Sequence, residues 1–119
     1  MEKPTESGFK PNAEDVLRHM TQIIVSEIHP AQIVLFGSRA RGDASPDSDV
    51  DLLIVQDDEF APDQLRHETL RRLRGRLSGF GVAKDLLLYS RAYVEEWRSS
   101  LNHVVGRALR EGRVLYERP

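Results

Sequence analysis

Two short apolar runs, joined by a small turn and a pair of acids, constrain the fold of this 119-residue chain more than any other feature. The first run ends at Gly37-Ser38, and after ten intervening residues Asp49-Val50-Asp51 opens the second. Each run is continuously apolar and bounded by turn residues, which is typical of a buried β-strand. The chain is therefore predicted to carry a glycine–serine turn at the end of one strand and two carboxylates at the start of the next.

The two carboxylates have the spacing of a metal site. Because successive side chains of a strand alternate between faces, Asp49 and Asp51 are predicted to point the same way, roughly 7 Å apart along the strand. Two hard oxygen ligands at this spacing can bind Mg²⁺ and leave coordination positions for water and phosphate oxygens. An Asp-x-Asp pair also occurs in calcium loops, but an EF-hand loop needs further ligands and a terminal Glu, whereas an apolar run follows Asp51 here.

The glycine–serine turn offers groups that bind phosphate. Gly37 lets the backbone approach a phosphate without a Cβ in the way, and Ser38 offers a hydroxyl and a backbone N–H. Arg39 and Arg41 carry guanidinium forks suited to phosphate oxygens. Both could instead be solvated loop charges, and we expect phosphate contact for at least one of them.

A third carboxylate, Asp85, is predicted to complete the site. The run over residues 82–89 reads as another buried strand with this one acid in its middle. An unpaired buried carboxylate is costly, and a metal would neutralise it. Asp85 could otherwise be an ion-pair partner or lie at a strand edge, but the metal role is favoured because a mid-strand acid needs a partner. Asp49, Asp51 and Asp85 would then form a triad on neighbouring strands.

The whole pattern predicts an α/β (α+β) fold with a small mixed β-sheet flanked by helices. Residues 1–11 are expected to be a flexible N-terminal arm, and residues 12–119 a single domain. The predicted strands are residues 32–36, 50–55 and 82–89, with an edge strand at 114–116. A first helix is predicted from its cap at Asn12 to His29-Pro30, a short helix begins at its cap Ser90, and a last helix ends at Gly112. Between the second and third strands, a helix is predicted after Pro62, with a buried face formed by Leu65, Leu70, Leu73 and Leu77.

Composition excludes several classes of protein. The formal net charge of −2 gives no general affinity for nucleic-acid backbones. The absence of cysteine excludes disulfides and thiolate metal sites. No apolar stretch approaches the roughly 18 residues of a membrane span, and the N-terminus has no apolar core typical of a signal peptide. A cytoplasmic protein without membrane contact or strong nucleic-acid binding is expected.

Together, Gly37-Ser38, Asp49-x-Asp51 and a distal acid on a strand resemble the nucleotidyltransferase superfamily related to DNA polymerase beta. The local sequences Gly37-Ser38-Arg39-Ala40-Arg41-Gly42 and Asp47-Ser48-Asp49-Val50-Asp51-Leu52 are similar to its minimal nucleotidyltransferase branch, the MntA-like antitoxins of HEPN/MNT toxin–antitoxin pairs. The resemblance covers most of the chain, and no required motif position is missing.

The resemblance implies a polymerase-beta-like fold, two Mg²⁺ ions and ATP as the donor of AMP. The acceptor it implies is a tyrosine of a HEPN-domain toxin encoded next to this protein. In that reaction Asp49 and Asp51 hold both metals, and Asp85 completes the one that binds the acceptor. Ser38 and Arg39 position the β- and γ-phosphates.

Two other functions remain open at this point. The chain could be a non-catalytic antitoxin that neutralises its toxin by forming a complex with it, although an intact set of carboxylates argues against a purely vestigial site. It could also transfer a nucleotide to a small molecule such as an aminoglycoside, but that reaction usually needs an additional substrate-binding domain. The sequence leaves no residues to build one.

Overall fold

The computed structural model describes residues 13–45, 48–57 and 63–119. The predicted arm, the capping residue Asn12 and the helix-initiating Pro62 lie outside these residues, so those predictions stay predictions. In order, the elements are α1 (Ala13–Ile28), β1 (Gln32–Phe36), α2 (Ser38–Arg41), β2 (Val50–Gln56), α3 (Asp63–Arg76), a 3₁₀ turn (Ser78–Phe80), β3 (Lys84–Ser90), α4 (Arg91–Trp97), α5 (Val104–Glu111) and β4 (Arg113–Glu117).

The four strands form one mixed sheet in the order β3-β2-β1-β4. Strand β1 pairs antiparallel with both β2 and β4, whereas β2 and β3 are parallel. These directions bring the C-terminal end of β1 to the same edge of the sheet as the N-terminal ends of β2, β3 and β4. The predicted small mixed sheet flanked by helices is confirmed.

The first face of the sheet packs against α1 and α3. Strand residues that alternate along the sheet, such as Ile33, Leu52 and Leu86, point to this side and are almost fully buried. Helix α1 covers them with Leu17, Met20 and Ile24, which recur at helical spacing. Helix α3 adds Leu70, Leu73 and Leu77, which are also buried.

The second face packs against α4 and α5 through a smaller core that includes Val34, Leu53, Val94 and Val105. Ser90 begins α4 by accepting a hydrogen bond from the backbone N–H of Tyr93 at 3.1 Å, which confirms the predicted cap. The two helices cover the part of this face near β1 and the C-terminal ends of β2 and β3.

Aromatic rings join α4 to β3 and to the start of α5. Tyr93 stacks on Tyr89 with ring centroids 4.3 Å apart, and Trp97 stacks on His103 at 4.5 Å. The Nδ1 atom of His103 accepts from the backbone N–H of Val105, so its Nε2–H donates to the Tyr93 hydroxyl at 3.1 Å. These contacts hold α4 and α5 against the second face. The described helices include none long and apolar enough to cross a membrane.

Two local predictions are wrong. Leu65 was expected on the buried face of α3, yet it is 48% exposed. It lies five residues before Leu70, a spacing that places it away from the stripe formed by Leu70, Leu73 and Leu77. The third strand was expected from residue 82 with Asp85 buried in its middle. It begins at Lys84, so Asp85 is its second residue and is exposed, because a strand end lies beyond the cover of the helices.

Candidate active site

The turn after β1 brings the backbone of Gly37 against Asp51. The last residue of β1, Phe36, is the register partner of Asp51 on β2. At Gly37 the chain takes φ +76°, a conformation that favours glycine. A Cβ built on Gly37 would lie 2.1 Å from Oδ2 of Asp51, far inside contact distance. Glycine is therefore required at this position for two reasons: the positive φ of the backbone, and the lack of space for a Cβ beside the carboxylate of Asp51.

Helix α2 is a single tight turn that begins directly at Ser38. The carbonyl of Gly37 accepts from the backbone N–H groups of Ala40 and Arg41, each at 3.1 Å. The carbonyl of Ser38 accepts from Gly42 and Asp43 at 3.0 and 3.2 Å. This short helix, which was not among the elements predicted from the sequence, leaves Ser38 half-buried beside the strand ends.

The carboxylates of Asp51 and Asp85 lie on neighbouring strands. The parallel register pairs the two residues directly, so both project from the second face of the sheet, beside Leu53 and Leu87 respectively. Asp49 precedes β2 instead of lying within it, and strand alternation does not set its direction as the sequence predicted. Asp49 and Asp85 are exposed, whereas Asp51 is half-buried.

Electrostatics join the three acids. The pKa of Asp51 is raised above its ordinary value of 3.8, first by burial and then by the negative charges of Asp85 and Asp49. The positive charges of Arg41 and Arg39 act in the opposite direction and lower it. The half-buried carboxylate of Asp51 thus lies near two other negative charges. A bound cation would neutralise their mutual repulsion.

The acids are not gathered into a ready metal cage. Within residues 13–45, 48–57 and 63–119, no group of three or more His, Cys, Asp or Glu side chains stands in an arrangement that could hold a metal ion. Of the predicted triad, the structure pairs Asp51 with Asp85 in register, and the charge of Asp49 acts on Asp51. Carboxylate oxygens are the ligands that Mg²⁺ takes in proteins, so the chemistry of the donor set fits that ion.

The two arginines of the turn make different contacts. Nε and Nη2 of Arg39 donate to the carbonyl oxygen of Ser48 at 3.1 and 2.7 Å. Arg41 donates from Nε to Asp43 at 3.4 Å and lies 3.9 Å from a carboxylate oxygen of Glu111 at the end of α5. The bond from Arg39 to Ser48 was not foreseen from the sequence, because every residue has a carbonyl and no side-chain pattern marks the one that accepts.

Comparisons with known proteins agree with this geometry. Residues 18–112 match the family described as the nucleotidyltransferase domain. No match was found among the curated proteins searched. Among solved structures, the chain is similar to a toxin–antitoxin crystallised with AMP-PNP, with a TM-score of 0.55, 20% identity and coverage of 85% of this chain and 73% of the other.

Two further structures are similar. One is a Sulfolobus solfataricus protein named as a candidate nucleotidyltransferase, with a TM-score of 0.54, 18% identity and coverage of 87% and 79% of the two chains. The other is a mutant of the MntA–HpeT toxin–antitoxin in which two aspartates, two positions apart, are replaced by glutamate; its TM-score is 0.54, with 18% identity and coverage of 85% and 73%. At these identities the similarity establishes the fold.

The mixed sheet, the glycine–serine turn and the register pair Asp51–Asp85 are those of a nucleotidyltransferase domain. The family match covers most of the chain, and this protein belongs to the nucleotidyltransferase domain family. It is a nucleotidyltransferase, as the sequence predicted.

Proposed function

We propose that this protein transfers AMP from ATP to a hydroxyl group of a HEPN-type toxin, with a tyrosine as the acceptor, and thereby acts as the toxin's antitoxin in the cytoplasm. The observation that carries the proposal is the pairing of Asp51 with Asp85 at the sheet edge where Gly37 contacts Asp51. A phosphate-binding turn and two carboxylates at one edge are the parts that nucleotidyl transfer needs.

We assign Asp49, Asp51 and Asp85 to Mg²⁺. The raised pKa of Asp51 supports this assignment, because burial and the negative charges of Asp85 and Asp49 disfavour its charged form unless a cation is present. When bound, two Mg²⁺ ions would polarise the phosphates and stabilise the charge that develops on the attacking and leaving oxygens. We propose that the acceptor hydroxyl binds beside Asp85 and loses its proton there.

The turn residues bind and orient the nucleotide in this proposal. Gly37 presents its backbone to the triphosphate, Ser38 donates a hydrogen bond, and the positive charge of Arg41 faces the phosphates. In the reaction, the acceptor oxygen forms a bond to the α-phosphorus as its proton passes to water on the side of the site where Asp85 lies. The bond from the α-phosphorus to the bridging oxygen of the β-phosphate breaks, and its electron pair leaves with pyrophosphate.

The choice of a protein acceptor is supported by the similar structures. They include a toxin–antitoxin with AMP-PNP, and MntA–HpeT in a form with two substituted aspartates and in another with a tyrosine changed to alanine. Asp49 and Asp51 have the same two-residue spacing as the substituted aspartates. A toxin encoded next to this protein is accordingly the partner we propose.

A non-catalytic antitoxin that acts only by forming a complex is the second candidate. The observation that favours it is that the described acids do not stand as a three-residue metal cluster. The two candidates differ in one consequence. Neutralisation of the toxin by modification requires Asp49 and Asp51, whereas neutralisation by complex formation does not.

The deciding experiment is intact mass spectrometry of the protein encoded beside this one, after incubation with this chain, ATP and Mg²⁺. We expect the partner to gain one or more AMP units. The double variant Asp49→Ala, Asp51→Ala should reduce transfer by at least about 100-fold, since it removes the groups that stabilise charge in the transition state.

The matched control is Asp57→Asn, because Asp57 is an exposed acid at the opposite end of β2, where it pairs with Arg91 and Arg118. It should transfer AMP at the wild-type rate. Transfer at the normal rate by the Asp49/Asp51 variant would refute the catalytic assignment. An unmodified partner that still forms a stable, inactive complex would favour the non-catalytic antitoxin.

A further inference from the structure

Arg39 fastens the segment that carries Asp49. Two atoms of its guanidinium, Nε and Nη2, donate to the single carbonyl oxygen of Ser48 at 3.1 and 2.7 Å. Arg39 belongs to α2, and Ser48 is the residue directly before Asp49. The guanidinium group of Arg39 therefore connects the short helix after the glycine–serine turn to the residue that precedes the first carboxylate.

Asp49 needs such a fastening because regular structure does not hold it. Strand β2 begins only at Val50, whose backbone N–H donates to the carbonyl of Ala83 at 2.9 Å. Asp49 is exposed and lies near Asp51, where like charge favours its movement away. Between the bond at Val50 and the bond to Ser48, the backbone of Asp49 is held on both sides.

The neighbouring turn contributes to the same fastening. The backbone N–H of Ser48 donates to the carbonyl of Ser45 at 3.0 Å, and the Ser48 hydroxyl accepts from the backbone N–H of Ser45 at 2.9 Å. These bonds are local, because they join residues three positions apart in the sequence. Within the described residues, the hydrogen bonds from Arg39 are the ones that join Ser48 to α2.

Arg41 does not duplicate this contact. Its Nε is directed at Asp43 and its Nη1 at Glu111, and neither residue adjoins an assigned metal ligand. The hydrogen bonds described for the two arginines of this short helix thus go to different groups. A lysine could supply the charge of Arg39, but it lacks the planar fork that grips one oxygen with two donors.

We propose that Arg39 is a positioning residue, which holds the Ser48 carbonyl and so keeps Asp49 beside Asp51 for metal binding. This role differs from the phosphate contact that the sequence predicted for Arg39. Its consequences for metal binding and AMP transfer rest on the proposed function. The fastening itself exists in the protein without ligands.

The test compares Arg39→Lys with Arg91→Lys. Arg91 also uses Nε for a hydrogen bond, to Asp57 at 2.7 Å at the opposite edge of the sheet, so it is a matched control. Amide hydrogen exchange is measured first, without metal or nucleotide, at Ser48 and Val50, the residues on either side of Asp49 whose backbone N–H groups are hydrogen-bonded. We expect exchange there to be about tenfold faster in Arg39→Lys, the change for about 1.4 kcal/mol of lost protection, and unchanged in Arg91→Lys.

Binding of Mn²⁺ alone is measured next by electron paramagnetic resonance, and transfer kinetics follow. Loss of a group that orients a ligand typically lowers metal affinity about 10–100-fold. We expect a loss in this range in Arg39→Lys, with a lower kcat and little change in the KM for ATP.

Two results would overturn the inference. Unchanged exchange at Ser48 and Val50 would show that Arg39 does not hold the segment in place. A raised KM for ATP with unchanged Mn²⁺ affinity and kcat would make Arg39 a phosphate ligand instead. Failure of the proposed function is separate, because it appears as absent transfer by the wild-type protein, and the exchange measurement does not depend on transfer.

Discussion

At the residue scale, Asp51 is the group on which the candidate site depends. It contacts the Gly37 backbone, pairs with Asp85 and lies in the field of Asp49. The spacing of the acids in the sequence predicted a charged, metal-binding group here. The degree of burial of each acid could not be predicted, because it depends on how far α4 and α5 extend over the second face of the sheet.

The raised pKa of Asp51 predicts how stability changes with pH. Between the ordinary value of 3.8 and the higher pKa of the folded protein, the folded state binds more protons than the unfolded chain. Stability without metal therefore falls as pH rises through this window and stays reduced above it. Asp51→Asn removes the charge and should raise Tm at pH 7, on the order of 2 °C because water screens much of the repulsion.

Thermal unfolding without metal, followed from pH 7 down to pH 4, checks this prediction. The advantage of Asp51→Asn should shrink as pH falls, because the wild-type carboxyl then becomes protonated. Glu68→Gln, which alters an exposed acid on α3, is the control and should not change Tm at pH 7. A lower Tm for Asp51→Asn at pH 7 would contradict the proposed repulsion.

Gly37→Ala and Gly42→Ala separate backbone strain from damage to the site. Both glycines have positive φ, +76° and +86°. Gly42 is in the left-handed helical region, where Gly42→Ala should cost about 1 kcal/mol, whereas the ψ of −159° places Gly37 in a region almost restricted to glycine, where Gly37→Ala should cost about 1–3 kcal/mol. Only Gly37→Ala drives a Cβ into the carboxylate of Asp51, whereas nothing lies within 4 Å of a Cβ at Gly42.

Transfer assays on the two glycine variants provide the measurement. We expect Gly37→Ala to lose at least about 100-fold in rate, the effect that misplacement of a reacting group by about 1 Å can have. Gly42→Ala should remain close to the wild-type rate. Equal losses in the two variants would mean that general strain, and not the position of Asp51, limits the reaction.

At the scale of elements, helix α3 illustrates both the strength and the limit of periodicity. Leucines at helical spacing correctly predicted a buried stripe, and Leu70, Leu73 and Leu77 form it. Leu65 does not share the spacing, and its exposure follows from that alone. The start of β3 was placed too early, since the apolar run begins at Val82, two residues before the strand begins at Lys84.

Leu73→Ala and Leu65→Ala test the orientation of α3. Leu73 is fully buried between α3 and the sheet, so its truncation should cost about 2–5 kcal/mol. Leu65→Ala should change the free energy of unfolding by less than about 0.5 kcal/mol, as is usual at exposed positions. Urea unfolding of both variants measures these values, and a large loss in Leu65→Ala would contradict the described packing.

At the scale of the whole molecule, the order of the strands assembles the site. With β2 between β1 and β3, the glycine–serine turn, Asp51 and Asp85 meet at one edge, although Ser38 and Asp85 are far apart in sequence. The described residues leave this edge of the second face accessible at the exposed carboxylates of Asp49 and Asp85. A nucleotide and metal bound there would bridge elements from the whole sheet.

Binding at this edge should therefore stabilise the entire fold. ATP with Mg²⁺ at about 100 times the dissociation constant should add about 2.7 kcal/mol to the free energy of unfolding. ATP with a chelator should add much less, because the carboxylates then repel the triphosphate. Thermal unfolding of the wild-type protein and of the Asp49→Ala, Asp51→Ala variant checks this, and equal stabilisation of the two would place the nucleotide elsewhere.

The sequence by itself determined the class of fold, the type of the longer helices and of the strands, and the chemical character expected of the site, because these depend on local periodicity and on motifs of neighbouring residues. Only the tertiary structure decided which strands are parallel, that Asp51 faces Asp85, and that Arg39 grips the carbonyl of Ser48. The physical reason is that strand register and backbone acceptors are set by packing between distant segments, which leaves no signature in the order of the residues.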